Sequence, residues 1–307
     1  MPRQSLPSLA AILLAAAPAV AEVPAVMTDF APTQSLVAQV MGNLGQPERL
    51  VEQGADPHSY QLRPSQARAL ASADMVIWVG PELTPWMERV LTTAPDARVI
   101  GLLSNPVTIL KAYPDEAVHD DDAEADSEAH DHMGADPHAW LDPENAKAWI
   151  EIIRDALIAA DGANVDTYTR NAEVALAEIE MLEAETAGIL APAKGAPIVV
   201  GHNAYGYFAD HFGLAIAASI EAGDAAAAGA AHLSELRARL ADKNISCLFP
   251  EAGHDPKQSV LLVEGTNVRL GQPLDPEGLL LPPGPDLYGA LIRGLATSIA
   301  VCATSQG

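Results

Sequence analysis

Residues 164–190 read NVDTYTRNAEVALAEIEMLEAETAGIL, with Tyr168, Ala172, Ala175, Ile179, Leu182 and Ile189 at helical intervals and charges on other positions. Apolar residues three and four apart share one face of an α-helix, so the spacing predicts a single helix of about seven turns. Upstream, residues back to Pro143 also lack a strand pattern, and the only break falls near Asp161-Gly162. Outward on both sides, short β-rich apolar runs alternate with helical stretches. The runs are 24–28, 49–52, 75–79 and 98–102 in the first half, and 197–200, 214–220, 245–250 and 267–270 in the second. Helical spacing marks 33–43 and 64–72, and a closing helix is expected at about 285–303. The pattern predicts an α/β fold of two lobes, each with a four-stranded, mostly parallel sheet flanked by helices, joined by a long rigid α-helix. The lobes are expected at 22–163 and 191–307, with 164–190 acting as a strut that limits hinge motion.

The chain of 307 residues is long enough for two medium domains with cores of their own. Its 17 Lys and Arg stand against 41 Asp and Glu, a formal charge of -24 that repels phosphate backbones and so disfavours nucleic acid as a partner. Arg3 precedes an apolar stretch from Leu9 to Val20 that ends in the small-x-small triplet Ala19-Val20-Ala21, so residues 1–21 read as a secretory signal. No other segment approaches the roughly 20 apolar residues of a membrane crossing. With no Cys near the cleavage point to take a lipid, a periplasmic location without an anchor is expected. In an exported chain Cys247 and Cys302 read as one disulfide, because oxidising compartments drive cysteines to pair; two buried thiols are the alternative.

Chemistry concentrates in a few loops. Gly54-Ala55-Asp56-Pro57-His58 recurs as Gly134-Ala135-Asp136-Pro137-His138, and each copy has an aromatic residue two positions on, Tyr60 and Trp140. Proline stiffens itself and the residue before it, so each copy presents an imidazole from a rigid loop, as a metal site requires. His138 also precedes Asp142-Pro143, a good helix start. His202 follows the run 197–200, and Asp275 follows 267–270 between two prolines; both fall at the carboxyl ends of strands, the edge that faces the ligand crevice in open α/β sheets. Asp275 read alone is equally a turn or capping residue. Glu251 occupies a neighbouring strand end, as ligand, supporting acceptor or rim carboxylate. Two ligands from each lobe, three imidazoles and a carboxylate, suit tetrahedral Zn(II). The tract 115–136 holds ten carboxylates with almost no large apolar residue. It cannot bury enough surface to fold, and its His119, His130 and His132 are candidate ligands of a weak collector of divalent metals. His211 and His232 read as helix-surface groups.

The motifs Ala55-Asp56-Pro57-His58-Ser59-Tyr60, Asp136-Pro137-His138-Ala139-Trp140-Leu141-Asp142-Pro143, His202-Asn203-Ala204-Tyr205-Gly206-Tyr207-Phe208 and Pro273-Leu274-Asp275 resemble those of the metal receptors of zinc and manganese ABC importers, nearest to the ZnuA or AztC type. The resemblance spans essentially the whole exported chain. It implies a cluster A-I solute-binding fold with metal held between the lobes, docking onto a membrane permease. Beside it, a monomer is the default expectation and a periplasmic metallochaperone a candidate further partner. Carried over by position, it places metal ligands at His58, His138, His202 and Asp275, with His202 where manganese-type relatives commonly have Glu; zinc is therefore the expected cargo and manganese the alternative. It also implies a Cys247–Cys302 disulfide and an acidic, His-rich loop before the second ligand. Glu251-Ala252-Gly253-His254 departs from the usual Glu-Pro-Gln.

A closed set of four protein ligands favours binding over catalysis. A periplasmic zinc hydrolase is the competing class, but the chain has neither HExxH nor a nucleophile elbow. No enzyme activity is expected.

Overall fold

The computed structural model describes residues 23–112, 135–221, 229–241 and 244–304. The expected signal at 1–21 lies outside these residues, as does the tract 115–136 apart from Ala135 and Asp136, and with it His119, His130 and His132. In chain order the first half contains β1 (Val26–Thr28), α1 (Ala31–Met41), β2 (Glu48–Arg49), α2 (Pro64–Ala71), β3 (Met75–Trp78), α3 (Trp86–Leu91) and β4 (Arg98–Gly101). Two long helices follow, α4 (Pro143–Ala160) and α5 (Val165–Leu190). The second half contains β5 (Pro197–His202), α6 (Gly206–Phe212), β6 (Ala215–Glu221), α7 (Ala230–Ala241), β7 (Cys247–Phe249), α8 (Lys257–Val263), β8 (Arg269–Leu270) and α9 (Leu287–Thr304). All pairings within the two sheets are parallel, in the orders β2-β1-β3-β4 and β6-β5-β7-β8.

Parallel sheets bury both faces, which is why the strands read as continuous apolar runs. Met75 and Ile77 of β3 enter one core while Val76 and Trp78 enter another. In β5, Ile198 and Val200 face the central core and Val199 the outer one. The central core is continuous between the lobes, because α5 buries Tyr168, Ala172, Ala175, Ile179, Leu182, Thr186 and Leu190 against α1, α4 and α9. The stripe matches its sequence reading except in the last turn, where Leu190 rather than Ile189 is buried. Each large aliphatic side chain so buried contributes about 1.5–3 kcal/mol. The joining helix is thus packed along its length rather than spanning free. By length and composition α9 could cross a membrane, yet it buries Leu287, Leu291, Ile292, Leu295 and Ile299 as a core helix.

The break between α4 and α5 has a side-chain cause. Asp161 is fully buried, and its Oδ2 accepts from Asn164 Nδ2 at 2.7 Å and from the Tyr168 hydroxyl at 3.0 Å. One carboxylate therefore closes the first helix and anchors the first turns of the second. At the other end of α4, Asp142 caps the helix by accepting from Glu144 N at 3.0 Å, with Pro143 behind it.

Polar contacts also cross between the lobes. Ser35 on α1 donates to Pro285 O at 2.8 Å and accepts from Tyr288 N at 3.0 Å, while the Tyr288 hydroxyl donates to Trp140 O at 3.0 Å. His211 on α6 is not a simple surface group: Nδ1 lies 2.9 Å from Asp142 Oδ1 on the α4 cap and Nε2 lies 3.2 Å from Glu183 Oε1 on α5. The Asp142 contact leads in raising its pKa above the ordinary imidazole value. His232 Nε2 lies 3.0 Å from Ser219 O on β6.

Asp29, just after β1, accepts from Phe30 N at 2.9 Å and from Val79 N at 2.7 Å, joining the carboxyl ends of β1 and β3. Its complete burial pushes the carboxyl up from 3.8 to about 6. Between these values the folded chain holds a proton that the unfolded chain has released, so stability falls as pH rises from about 4 to about 6 and the loss is complete above that. The two-unit difference corresponds to a cost on the order of 3 kcal/mol. Urea midpoints at pH 4.5 and 7 should therefore diverge more for the wild type than for Asp29→Asn; equal divergence would contradict the assignment.

Candidate metal centre

Both Asp-Pro-His copies fold into the same local turn. Asp56 Oδ1 accepts from His58 N at 2.8 Å, and Asp136 Oδ1 accepts from His138 N at 2.9 Å. An Asp side chain bonding the amide two residues on is an Asx turn, so each repeat sets the direction of its imidazole locally. The copies are braced differently. The Trp86 indole donates to Pro57 O at 2.8 Å, and the Trp140 indole donates to Pro276 O at 2.8 Å. Trp86, the first residue of α3, thereby shapes the first ligand loop.

His58 follows β2, His138 precedes α4, and His202 ends β5. The three come together: their donor atoms lie within 4.8 Å of one another, and the ring centroids stand 4.9 to 6.1 Å apart. His138 is fully buried, His202 nearly so, and His58 partly exposed. A cavity of about 40 Å³ reaches the group, lined by His58, His202, Asp56, Glu221, Glu251 and Glu277 among others. It is large enough for an ion or a water and too small for an organic substrate.

Carboxylates orient these rings. Asp136 Oδ1 lies 2.7 Å from His138 Nδ1, and Glu251 Oε1 lies 3.4 Å from His202 Nδ1. A carboxylate on one ring nitrogen holds the other as a neutral donor for metal. Glu251 is itself fixed by the Tyr205 hydroxyl at 3.2 Å, and burial, followed by the charge of Glu251, raises the Tyr205 pKa well above its ordinary value, so the phenol stays a donor. Gly201 is needed here: a Cβ would stand 2.8 Å from Glu251 N, so only glycine lets β5 pass this close.

Asp275 follows β8 as expected, but its carboxylate is engaged locally. Oδ1 accepts from Leu279 N at 2.8 Å and Oδ2 from Leu280 N at 3.0 Å, which folds the turn after it. Burial raises its pKa, against those two amides and with Glu251 adding to the rise. It does not join the three imidazoles in the group described above. Glu277 approaches one of them, His58: its Oε1 lies 3.4 Å from His58 Nε2, and Asp56, His58 and Glu277 form a second group of donors within 4.8 Å that shares His58 with the first. Sequence reasoning missed Glu277 and the orienting role of Asp136. A carboxylate two residues before each His in the repeat, and one two residues after Asp275, were the available signals. Cys247 and Cys302 are bonded to each other.

The chain is similar over most of its length to proteins named for zinc uptake. The "High-affinity zinc uptake system protein ZnuA" of Paracoccus denitrificans (strain Pd 1222) is 45% identical over 317 residues, 97% of either chain. The protein of the same name from Brucella abortus (strain 2308) is 31% identical, covering 90% of this chain and 91% of that one. Among solved structures, a zinc-bound ZnuA lacking residues 138–173 of its own numbering superposes with a TM-score of 0.76 at 24% identity, over 92% of this chain and all of the other, a likeness of fold. Residues 26–302 match the family described as zinc-uptake complex component A, periplasmic, a span that runs from the first strand to the last helix, and the chain belongs to this ZnuA family.

Proposed function

We propose that the protein is the periplasmic receptor of a zinc ABC importer, which binds one Zn(II) between its lobes and delivers it to a membrane permease. The convergence of His58, His138 and His202 carries this reading. Neutral imidazoles favour zinc over hard, oxygen-preferring ions, and a carboxylate from the 275–277 loop, with Asp275 as the position implied by family resemblance, completes a four-donor shell. In a tetrahedral shell with Zn–N near 2.1 Å, neighbouring nitrogens stand roughly 3.4 Å apart, so the ion would draw the three rings inward from their present spread. A shell filled by protein leaves no position for an activated water, so the chemistry is capture and release rather than hydrolysis. The negative charge of the chain concentrates cations around it. The receptor acts as a monomer after export, and a periplasmic metallochaperone is a second partner in this reading.

The test is metal selection. Metal-free protein exposed to equimolar Zn(II), Mn(II), Cu(II) and Ni(II), then desalted, should retain one zinc per chain. Retained manganese, or no metal at all, would overturn the reading.

A further inference from the structure

The carboxylates around the three imidazoles are not equivalent. Asp136 and Glu251 meet the Nδ1 atoms of His138 and His202, the side away from an ion bound through Nε2. Glu277 instead meets Nε2 of His58. It is only 5% exposed, and a carboxylate buried to that degree is costly unless it is paired or coordinates a cation. The backbone holds it there from two sides. Trp140, two residues beyond His138, grips the carbonyl of Pro276, and Asp275 uses both oxygens to fold residues 279–280 back beneath the loop. Gly54 N further donates to Leu279 O at 3.1 Å, tying the loop to the one that carries His58. For Asp275 to enter the shell through either oxygen without sharing it, one of these amide bonds would have to break; Glu277 has its oxygen at the ligand side already.

We propose that Glu277 supplies the oxygen donor to the ion held by His58, His138 and His202, and that Asp275 folds the turn that presents it. This rests on the zinc-receptor reading and names its fourth ligand. A carboxylate three rotatable bonds from the backbone also follows the imidazoles inward more readily than a shorter, doubly bonded Asp.

The experiment compares wild type, Glu277→Gln and Asp275→Asn by zinc affinity against a chelating indicator, by the visible spectrum of the Co(II) forms, and by thermal unfolding of the metal-free proteins. Glu277→Gln should lose at least roughly tenfold in zinc affinity, the lower limit for groups that support metal ligands. It should also change the cobalt spectrum while unfolding like the wild type. Asp275→Asn should keep the wild-type cobalt spectrum and unfold at a lower temperature. Wild-type affinity and spectrum in Glu277→Gln would overturn the proposal, as would a changed spectrum in Asp275→Asn alone; in both cases zinc binding by the wild type would leave the receptor reading standing. A wild type that retains no zinc would overturn the receptor reading and this proposal with it.

Discussion

His202→Ala is expected to lose zinc retention altogether on desalting, with an affinity reduced more than a hundredfold. Apparent zinc free energies of about 10–16 kcal/mol in four-ligand sites average some 3 kcal/mol per donor, and each 1.4 kcal/mol is a factor of ten. The loss should exceed that of a rim residue for a structural reason. His202 is the last residue of β5, in the middle of the second sheet, and Glu251 holds its Nδ1 at 3.4 Å. His58 and His138 are each held by an Asx turn in a separate loop. Metal-free stability should change little, since the side chain sits at a strand end beside the cavity. Unchanged zinc affinity with an intact fold would exclude His202 from the shell.

Removing the disulfide should give the largest effect on stability. Cys247 on β7 and Cys302 on α9 are separated by 55 residues, and a cross-link closing such a loop restricts the unfolded chain by about 4 kcal/mol. In a chain of this size that corresponds to roughly 7 °C in Tm. The double variant Cys247→Ala/Cys302→Ala avoids free thiols and should show this drop while binding zinc as the wild type does, because Cys247 opens β7, at the end opposite the carboxyl end that leads to Glu251. Equal unfolding temperatures for variant and wild type would show that the bond adds nothing.

Local patterns carried a great deal. Strand positions were readable because both sheets are parallel and buried on both faces, so their strands stand out as apolar runs. The predicted strand 75–79 became Met75–Trp78, and 98–102 became Arg98–Gly101. The poorest boundaries are at the ends of short edge strands such as β2, where Glu48–Arg49 replaced 49–52: two residues of pairing depend on a neighbouring strand, not on their own periodicity. His58 and His138 were visible because their turn is written within three residues, Asp to His, and needs nothing distant. The reading of His211 as a surface group failed for the opposite reason: its partners, Asp142 and Glu183, lie on two other helices.

The sequence alone determined the two-lobe α/β order and the long joining helix, and singled out three histidines that the structure brings together, since periodicity and turn chemistry act over a few residues. Only the tertiary structure decided which carboxylate stands beside the His58 ring. Asp275 and Glu277 are two residues apart on one loop and look interchangeable in the chain. They are separated by hydrogen bonds from Leu279, Leu280 and Trp140, and by the approach of His58 from the other lobe. Such contacts depend on how two sheets and a packed helix set distant loops edge to edge, and no local pattern encodes that distance.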